Sequence, residues 1–400
     1  MGLTSKLGLQ PLESPSLVAE RKGSLDIGIL KSTSSEEKRV VLTPRNVEML
    51  TADGYRVLLE IGAGKRAGFP DNLYAEAGAI ITSDIKEIYK SHILLKICPL
   101  DKRDADNASQ EQIIISPLQL SSFDTNLLDK LAKKKVTTLA FEFFRSREGR
   151  SFPFVKAMSE IAGYASIFLA SEALGQRNEE GGKLFGGLNG VEPISVLILG
   201  AGIVGRYAAR AARGFGATVM VMDNDINKLS KLQDHVGEQL FTNILDTQLI
   251  GKTLENTDVV IGALHSKTGR SPIVISEQMV AKMKSGSVII DVSIDQGGCI
   301  ETSEITSHEQ PFHAIHDVWH CGLTNIPSRF SKTASIAISH LLGPMLSRSM
   351  EHGGIHYLMQ EDNGIARGVY MYRGQVTQSA LARRFNLKAT DLSILFTTSR

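Results

Sequence analysis

A glycine-rich turn between a buried strand and a helix constrains the fold of this 400-residue chain more than any other feature. The segment reads ISVLILGAGIVGRYAARAARGFGATVMVMDND, and its apolar strand is predicted at Ile194–Leu199. Gly200 permits the tight turn that follows, Gly202 lets the backbone approach a diphosphate, and Gly205 lets the next helix pack against the strand. The spacing predicts a nucleotide-binding Rossmann unit.

The acidic residue after the next strand indicates which dinucleotide is bound. A strand at Ala217–Met222 ends in Asp223, whose carboxylate can accept hydrogen bonds from both ribose hydroxyls of NAD. The same charge would repel the additional phosphate of NADP, and no arginine stands at 224–227. We predict NAD as the cofactor, bound by Asp223 and by the loop residues Gly200, Ala201, Gly202, Ile203, Val204 and Gly205. A glycine turn that binds no nucleotide is the alternative, which the complete strand–turn–helix–strand pattern disfavours.

Strand and helix patterns alternate on both sides of this unit, which predicts an α/β protein with mostly parallel sheets. Four hundred residues are more than one ordinary core holds and fit two domains. We expect two Rossmann-like doubly wound domains, with the NAD-binding domain inserted into a discontinuous substrate domain. The predicted limits are an N-terminal extension at 1–24, the substrate domain at 25–152, the NAD-binding domain at 153–327, and a return to the substrate domain with a C-terminal extension at 328–400.

Composition excludes several classes of partner and site. The 44 basic and 43 acidic residues give a net charge of +1, which gives no reason to expect nucleic acid as a partner. No run of about 18 uncharged apolar residues is present, so we expect no membrane partner. The 3 cysteines are far apart, which disfavours a disulfide framework or a zinc cluster, and no metal site is predicted. A reducing, cytoplasmic location is the simplest expectation.

Six segments outside the glycine loop carry further motifs. They are EKRVVLTP (Glu37–Pro44), EIGAGKRAGFPDNLYAEAGA (Glu60–Ala79), LLKICP (Leu94–Pro99), MSEIAGY (Met158–Tyr164), DVSIDQGGCIETSE (Asp291–Glu304) and TNIPSRFSKTAS (Thr324–Ser335). These segments strongly resemble the alanine dehydrogenase family and occur in the family's order over nearly all of residues 25–350. The superfamily also contains the NAD-binding subunit of proton-translocating transhydrogenase.

The resemblance implies roles for residues that spacing alone leaves open. Arg39 would bind the substrate carboxylate, Lys96 would bind the substrate and polarise its keto oxygen, and Asp295 would handle a proton or orient water. From the residues alone, each also fits a structural role, such as an ion pair of Arg39 with a neighbouring glutamate. The resemblance further implies nucleotide contacts at Ser159, Asn325 and Ile326.

The resemblance fails at the family's active-site histidine. The aligned stretch is Ser116–Leu120, and Gln119 stands at the histidine position. Glutamine can orient a keto acid, but it cannot exchange a proton near neutral pH. Two explanations compete. Either Lys96 or Asp295 handles the proton with water, with His265 as a further candidate, or the amino-acid chemistry has been lost.

We therefore expect an NAD-dependent oxidoreductase that reversibly deaminates a small L-amino acid. Alanine is the favoured substrate, giving pyruvate and ammonium by hydride transfer to NAD. Lys96, Asp295 and Gln119 are the predicted catalytic residues. The alternative is an NAD(H)-binding subunit of a transhydrogenase-like system without amino-acid dehydrogenase activity. The resemblance also implies assembly into a homo-oligomer, often a hexamer. The other expected partner is a small-molecule substrate, an amino acid or keto acid.

Overall fold

A computed structural model describes residues 25–176, 181–266 and 269–398 of the protein. The predicted N-terminal extension at 1–24 lies outside the described residues. The described chain forms two α/β halves, each built on its own mixed sheet in which parallel pairs dominate. This architecture confirms the predicted fold class. Among the described ranges, we find no helix with the length and apolar character that a membrane span requires.

The first half alternates six parallel strands with short helices. The strands are mostly apolar, and β4 and β5 are buried throughout, as expected for a sheet covered on both faces. Its elements are β1 (Asp26–Ile29), α1 (Pro44–Ala52), β2 (Arg56–Glu60), α2 (Asp71–Glu76), β3 (Ile80–Thr82), α3 (Ile85–Tyr89), β4 (Ile93–Leu95), α4 (Lys102–Asn107), β5 (Ile113–Ile115), α5 (Thr125–Lys133) and β6 (Thr137–Leu139).

The short helix α4 was not among the predicted elements. Its N-cap Asp101 accepts a hydrogen bond from the backbone of Asp104, whose side chain accepts one from the backbone of Asp101 in return. This reciprocal capping box starts a helix in a stretch without an apolar pattern. The helix matters for the site below, because Asp104 is fully buried.

The helix α6 (Pro153–Gln176) leads from the first half to the second. An apolar pattern without proline predicts a helix at 157–175, and α6 begins four residues earlier, at Pro153. The second half then comprises β7 (Ser195–Leu199), α7 (Ile203–Gly214), β8 (Thr218–Met222), α8 (Ile226–Val236), β9 (Phe241–Asn243), α9 (Thr247–Leu254), β10 (Val259–Gly262), α10 (Glu277–Val280), β11 (Val288–Asp291), β12 (His313–Ile315) and β13 (Val318–Cys321).

After the second half, the chain returns to the first sheet. The elements are α11 (Ser331–Glu351), α12 (Ile355–Glu361), α13 (Asn363–Ala366), β14 (Val369–Tyr372), β15 (Gln375–Val376), α14 (Ser379–Arg384) and α15 (Leu392–Thr398). Strand β14 pairs antiparallel with β6, and α11 bonds to the segment after β1. There, the buried hydroxyls of Ser335 and Ser339 accept the backbone N–H groups of Val40 and Thr43 at 2.9 Å.

Both sheets reverse their strand order at one position. The first sheet runs β15-β14-β6-β5-β4-β1-β2-β3, and the second runs β12-β13-β11-β10-β7-β8-β9. The order reverses between β1 and β4 in the first sheet and between β7 and β10 in the second. In open α/β sheets, ligands bind at the carboxyl ends of strands at such points. We therefore expect the ligand-binding site to lie at the loops after β1, β4, β7 and β10.

Candidate active site

The glycine loop after β7 has the geometry that its sequence predicts. Gly200 has a φ of 108°, which favours glycine, and a side chain there would collide with the carbonyl oxygen of Ala263. A side chain at Gly205 would collide with the carbonyl oxygen of Gly200. The Cβ position of Gly202 meets no described heavy atom within 4 Å. The loop is thus closed on the side of the sheet and open at the N-terminus of α7.

Asp223 lies beside this loop, at the end of β8. Its Oδ2 accepts a hydrogen bond from the backbone N–H of Ala201 at 2.8 Å, and its Oδ1 accepts one from Asp225 at 2.8 Å. The Lys228 ammonium lies 3.6 Å from Oδ2. The structure thus joins the acidic residue to the glycine loop and adds a cation that sequence analysis did not consider.

The long helix α6 packs closely on the helix that follows the glycine loop. A Cβ at Gly163 would lie 2.6 Å from the carbonyl oxygen of Val204, so only glycine allows this approach. Ser159 lies one turn earlier on the same face of α6. This position is beside the start of α7, where a nucleotide contact was predicted.

Arg39 follows β1 and is held by a carboxylate two residues earlier in the chain. Its Nε and Nη2 donate to the two carboxylate oxygens of Glu37 at 2.8 and 2.5 Å. Its Nη1 lies 3.3 Å from the sulfur of Met158 on α6, which is a weak acceptor. The ion pair with Glu37 therefore fixes one edge of the guanidinium. The other edge faces the Met158 sulfur, which a stronger acceptor can displace.

Asp295 and Asn325 join Arg39 from the second half of the chain. Asp295 lies in the 3₁₀ turn Val292–Gln296 after β11, and Asn325 precedes the 3₁₀ turn Ile326–Phe330. The surrounding protein raises the pKa of Asp295, although its side chain is open to solvent, while the Asn325 N–H and the charge of Arg39 oppose the shift. Ile326, the next predicted contact, is buried.

No hydrogen bond or ion pair among the described residues connects Lys96 to Arg39 or Asp295. Its ammonium is bonded to the buried carboxylate of Asp104 on α4 and lies 3.7 Å from Asp101. Tyr89 also donates to Asp104, at 2.7 Å. Lys96 nevertheless lines a pocket with about 320 Å³ of empty space, partly open to solvent, which Cys98 also lines. Its predicted contact with a keto oxygen stays a prediction.

Gln119 is exposed after β5, and a partly buried acid, Glu142, stands next to its segment. Oε1 of Glu142 accepts the N–H of Leu118 at 2.7 Å, and Oε2 is buried without a hydrogen-bond partner among the described residues. Burial raises the pKa of Glu142, and the Leu118 N–H only partly opposes this. Glu142 was not predicted as a site residue. The only feature of the sequence that marks it is its place in an apolar run directly after β6.

Four histidines, His308, His313, His316 and His320, lie close together in the sequence. In the described part of the chain, no group of three or more histidine, cysteine or acidic side chains could hold a metal ion. Burial lowers the pKa of His320 to about 4, and its ring bonds to Thr302 at 2.8 Å and to Val318 at 2.9 Å. His320 is therefore a core histidine. His265 is exposed after β10.

Comparison with known proteins connects this geometry to one family. The model of the alanine dehydrogenase/PNT N-terminal domain matches residues 28–162, and the model of the C-terminal domain matches residues 166–379. The chain belongs to the alanine dehydrogenase/PNT family. It is an enzyme of the alanine dehydrogenase type, as the sequence motifs predict.

Individual members of the alanine dehydrogenase/PNT family match over nearly their whole length. The chain is 34% identical over 368 residues to alanine dehydrogenase of Methanococcus maripaludis, covering 91% of this chain and 97% of the relative. It is 34% identical over 358 residues to alanine dehydrogenase of Bacillus subtilis, covering 89% and 94%.

Solved structures of two kinds share the fold. An L-alanine dehydrogenase structure superimposes with a TM-score of 0.83 at 31% identity, covering 90% of this chain and 99% of that one. A transhydrogenase from Sinorhizobium meliloti superimposes with a TM-score of 0.73 at 22% identity, covering 89% of this chain and 99% of that one. The second likeness concerns the fold alone.

Proposed function

We propose that the protein oxidatively deaminates a small L-amino acid, with L-alanine as the preferred substrate and NAD as the cofactor. The observation that carries the proposal is the position of Arg39. Its guanidinium keeps one edge available to a carboxylate, and hydrogen bonds connect it through Glu37 to Asn325, whose backbone lies beside Asp295. A cation for the substrate and a carboxyl group for the proton thus belong to one network.

The residues around the glycine loop fit NAD. The space at Gly202 and the free N–H groups at the start of α7 suit a diphosphate, and the carboxylate of Asp223 suits the ribose hydroxyls. Ser159, Ala201, Ile203, Val204, Gly205, Asn325 and Ile326 complete the proposed binding set. When bound, NAD supplies the oxidant by accepting a hydride from the substrate Cα.

Arg39 binds the substrate carboxylate in this proposal. The Nε edge is engaged by Glu37, so the carboxylate takes Nη1 and the second hydrogen of Nη2. It displaces the sulfur of Met158, a much weaker acceptor than a charged oxygen. The fixed edge prevents rotation of the guanidinium, so the bound acid has a defined direction relative to the cleft.

Asp295 handles the proton of the hydrolytic step. Oxidation of an amino acid gives an imine, and water must add to its carbon before ammonia leaves. A carboxyl group with a raised pKa can accept the proton of that water as the new bond forms and return it to the departing nitrogen. Gln119 cannot replace it, because an amide does not exchange protons near neutral pH.

A transhydrogenase-like nucleotide-binding subunit is the second candidate. The observation that favours it is the absence of histidine at Gln119. We also propose domain limits at residues 152 and 327. Assembly into a homo-oligomer is proposed as well, because the family resemblance implies it.

The test is an initial-rate assay with NAD and a panel of L-amino acids at alkaline pH. We expect NADH to form with small apolar amino acids, and with L-alanine fastest. Absence of turnover with every amino acid, together with firm NADH binding, would reject the dehydrogenase in favour of the nucleotide-binding subunit.

A further inference from the structure

Two short segments, 36–39 and 325–328, are far apart in sequence and bonded together beside the candidate site. The backbone N–H of Lys38 donates to the hydroxyl of Ser328 at 2.8 Å, and that hydroxyl donates to the carbonyl oxygen of Glu36 at 2.7 Å. The side-chain amide of Asn325 donates to Oε2 of Glu37 at 2.9 Å. The segment after β1 is therefore attached to the segment that follows β13.

Glu37 is the residue on which these contacts converge. It is 6% exposed and accepts hydrogen bonds from Arg39 and Asn325. Burial raises the pKa of its carboxyl, but the hydrogen bonds and the charge of Arg39 outweigh burial and lower it. Glu37 is thus a charged, buried acceptor whose donors come from both segments.

Asn325 has two separate hydrogen-bond functions. Its side chain donates to Glu37 at 2.9 Å, and its backbone N–H lies beside Asp295, where it opposes the rise in the pKa of that carboxyl. Its φ of 55° lies in the left-handed region, which asparagine tolerates better than most residues. Hydrogen bonds thus join Arg39, Glu37 and Asn325, and Asp295 lies next to the Asn325 backbone.

We propose that Glu37 and Asn325 are positioning residues that fix Arg39 relative to Asp295. Arg39 binds the substrate carboxylate and Asp295 handles the proton, so this inference rests on the proposed function. A substrate held at Arg39 reacts only if the group at Asp295 is at the correct distance. A misplacement of about 1 Å is worth roughly a hundredfold in rate. Loss of the contact between Glu37 and Asn325 should therefore lower turnover.

Asn325→Gly isolates the side-chain contact. Glycine accepts the left-handed backbone and keeps the N–H beside Asp295, and only the donor to Glu37 is lost. We expect kcat to fall by about tenfold to a hundredfold. Glu37→Gln removes the charge at constant shape and should lower kcat by a similar factor, with KM for NAD unchanged, because Glu37 is not one of the proposed NAD contacts. Combined, the two changes should be no worse than the stronger single change, since both break one contact.

Glu36→Gln is the matched control. Glu36 accepts the backbone N–H of His308 at 2.9 Å in the same region but is bonded to neither Arg39 nor Asn325 in the described contacts. It makes the same chemical change and should leave kcat near that of the wild type. Equal losses of kcat in Glu36→Gln and Glu37→Gln, or additive effects of Glu37→Gln and Asn325→Gly, would overturn the proposal.

Hydrogen exchange of the Asn325 amide supplies a readout that needs no turnover. We expect the Asn325 amide to exchange faster in Glu37→Gln and at an unchanged rate in Glu36→Gln. Only Glu37→Gln weakens the hydrogen bond that holds Asn325 beside Asp295. Unchanged exchange in Glu37→Gln would refute the positioning role even if the enzyme deaminates no amino acid. Failure of the wild type to oxidise any amino acid would instead reject the proposed function alone.

Discussion

The backbone N–H of Ala201 donates a hydrogen bond of 2.8 Å to the carboxylate of Asp223. This bond ties the glycine loop after β7 to the acid at the end of β8. The Lys228 ammonium lies 3.6 Å from the same carboxylate oxygen, so loss of the carboxylate frees both an N–H donor and a cation. An N–H group and a cation together favour a phosphate.

Asp223→Ala should therefore shift cofactor preference toward NADP. We expect the ratio of kcat/KM for NADP to that for NAD to rise by about tenfold or more, which corresponds to ~1.4 kcal/mol of removed repulsion. Steady-state kinetics with both cofactors measure the ratio. Asp234→Ala, at an exposed position of the following helix α8, is the control. A wild type that uses NADP as well as NAD would show that Asp223 does not select the cofactor.

Arg39→Lys tests the substrate role of the guanidinium. Lysine keeps the charge but loses the two-pronged donor, so it cannot bind Glu37 and a substrate carboxylate together. We expect KM for the amino acid to rise by about tenfold to a hundredfold, the equivalent of one charged hydrogen bond, with KM for NAD unchanged. Arg45→Lys on the exposed side of α1 should change neither constant. Equal effects on both KM values would contradict the assignment.

Lys96→Met distinguishes a structural lysine from a substrate-binding one. The change leaves Asp104 buried without its cation, which should lower the free energy of unfolding by about 3–5 kcal/mol at neutral pH. Burial already raises the pKa of Asp104, so protonation at lower pH should restore part of the loss. Urea unfolding at two pH values measures both effects.

The controls for Lys96 use the same helix region. Lys102→Met replaces an exposed lysine and should leave stability unchanged. Asp104→Asn added to Lys96→Met should recover much of the lost stability, because no charge remains buried. If the double variant is stable but has lost all turnover, Lys96 has the predicted substrate role as well.

Much of the fold follows from local patterns. Glycines spaced for a tight turn and a close helix predict β7, α7 and β8, and apolar runs predict the strands that carry the site. The sequence does not reveal α4, since a capping box in a polar stretch has no apolar periodicity. Without α4, the partner of Lys96 is not predictable.

The site itself is predictable only in part. Family resemblance names Arg39 and Asp295, which lie more than 250 positions apart in sequence. Their link through Asn325 depends on a left-handed backbone and a three-dimensional contact that no local pattern encodes. Glu142 was missed for a similar reason, because burial of one carboxylate oxygen depends on how the loops after β5 and β6 pack.

Glu142→Gln tests this partly buried acid through the pH dependence of stability. The pKa of Glu142 is raised in the folded protein, so the wild type loses stability as pH rises through that value, whereas the amide does not. The variant should be more stable than the wild type at pH 8, and the advantage should shrink toward pH 4. Glu148→Gln, at an exposed position, should show no such trend. A constant difference across pH would mean that Glu142 does not titrate abnormally.

The most direct measurement runs the proposed reaction in reverse. Purified protein is mixed with pyruvate, ammonium and NADH, and consumption of NADH is followed while the product is analysed by chiral chromatography. We predict NADH oxidation that requires both pyruvate and ammonium and yields L-alanine. NADH oxidation that proceeds equally without ammonium, or no oxidation although NADH binds, would contradict the assignment as an amino-acid dehydrogenase.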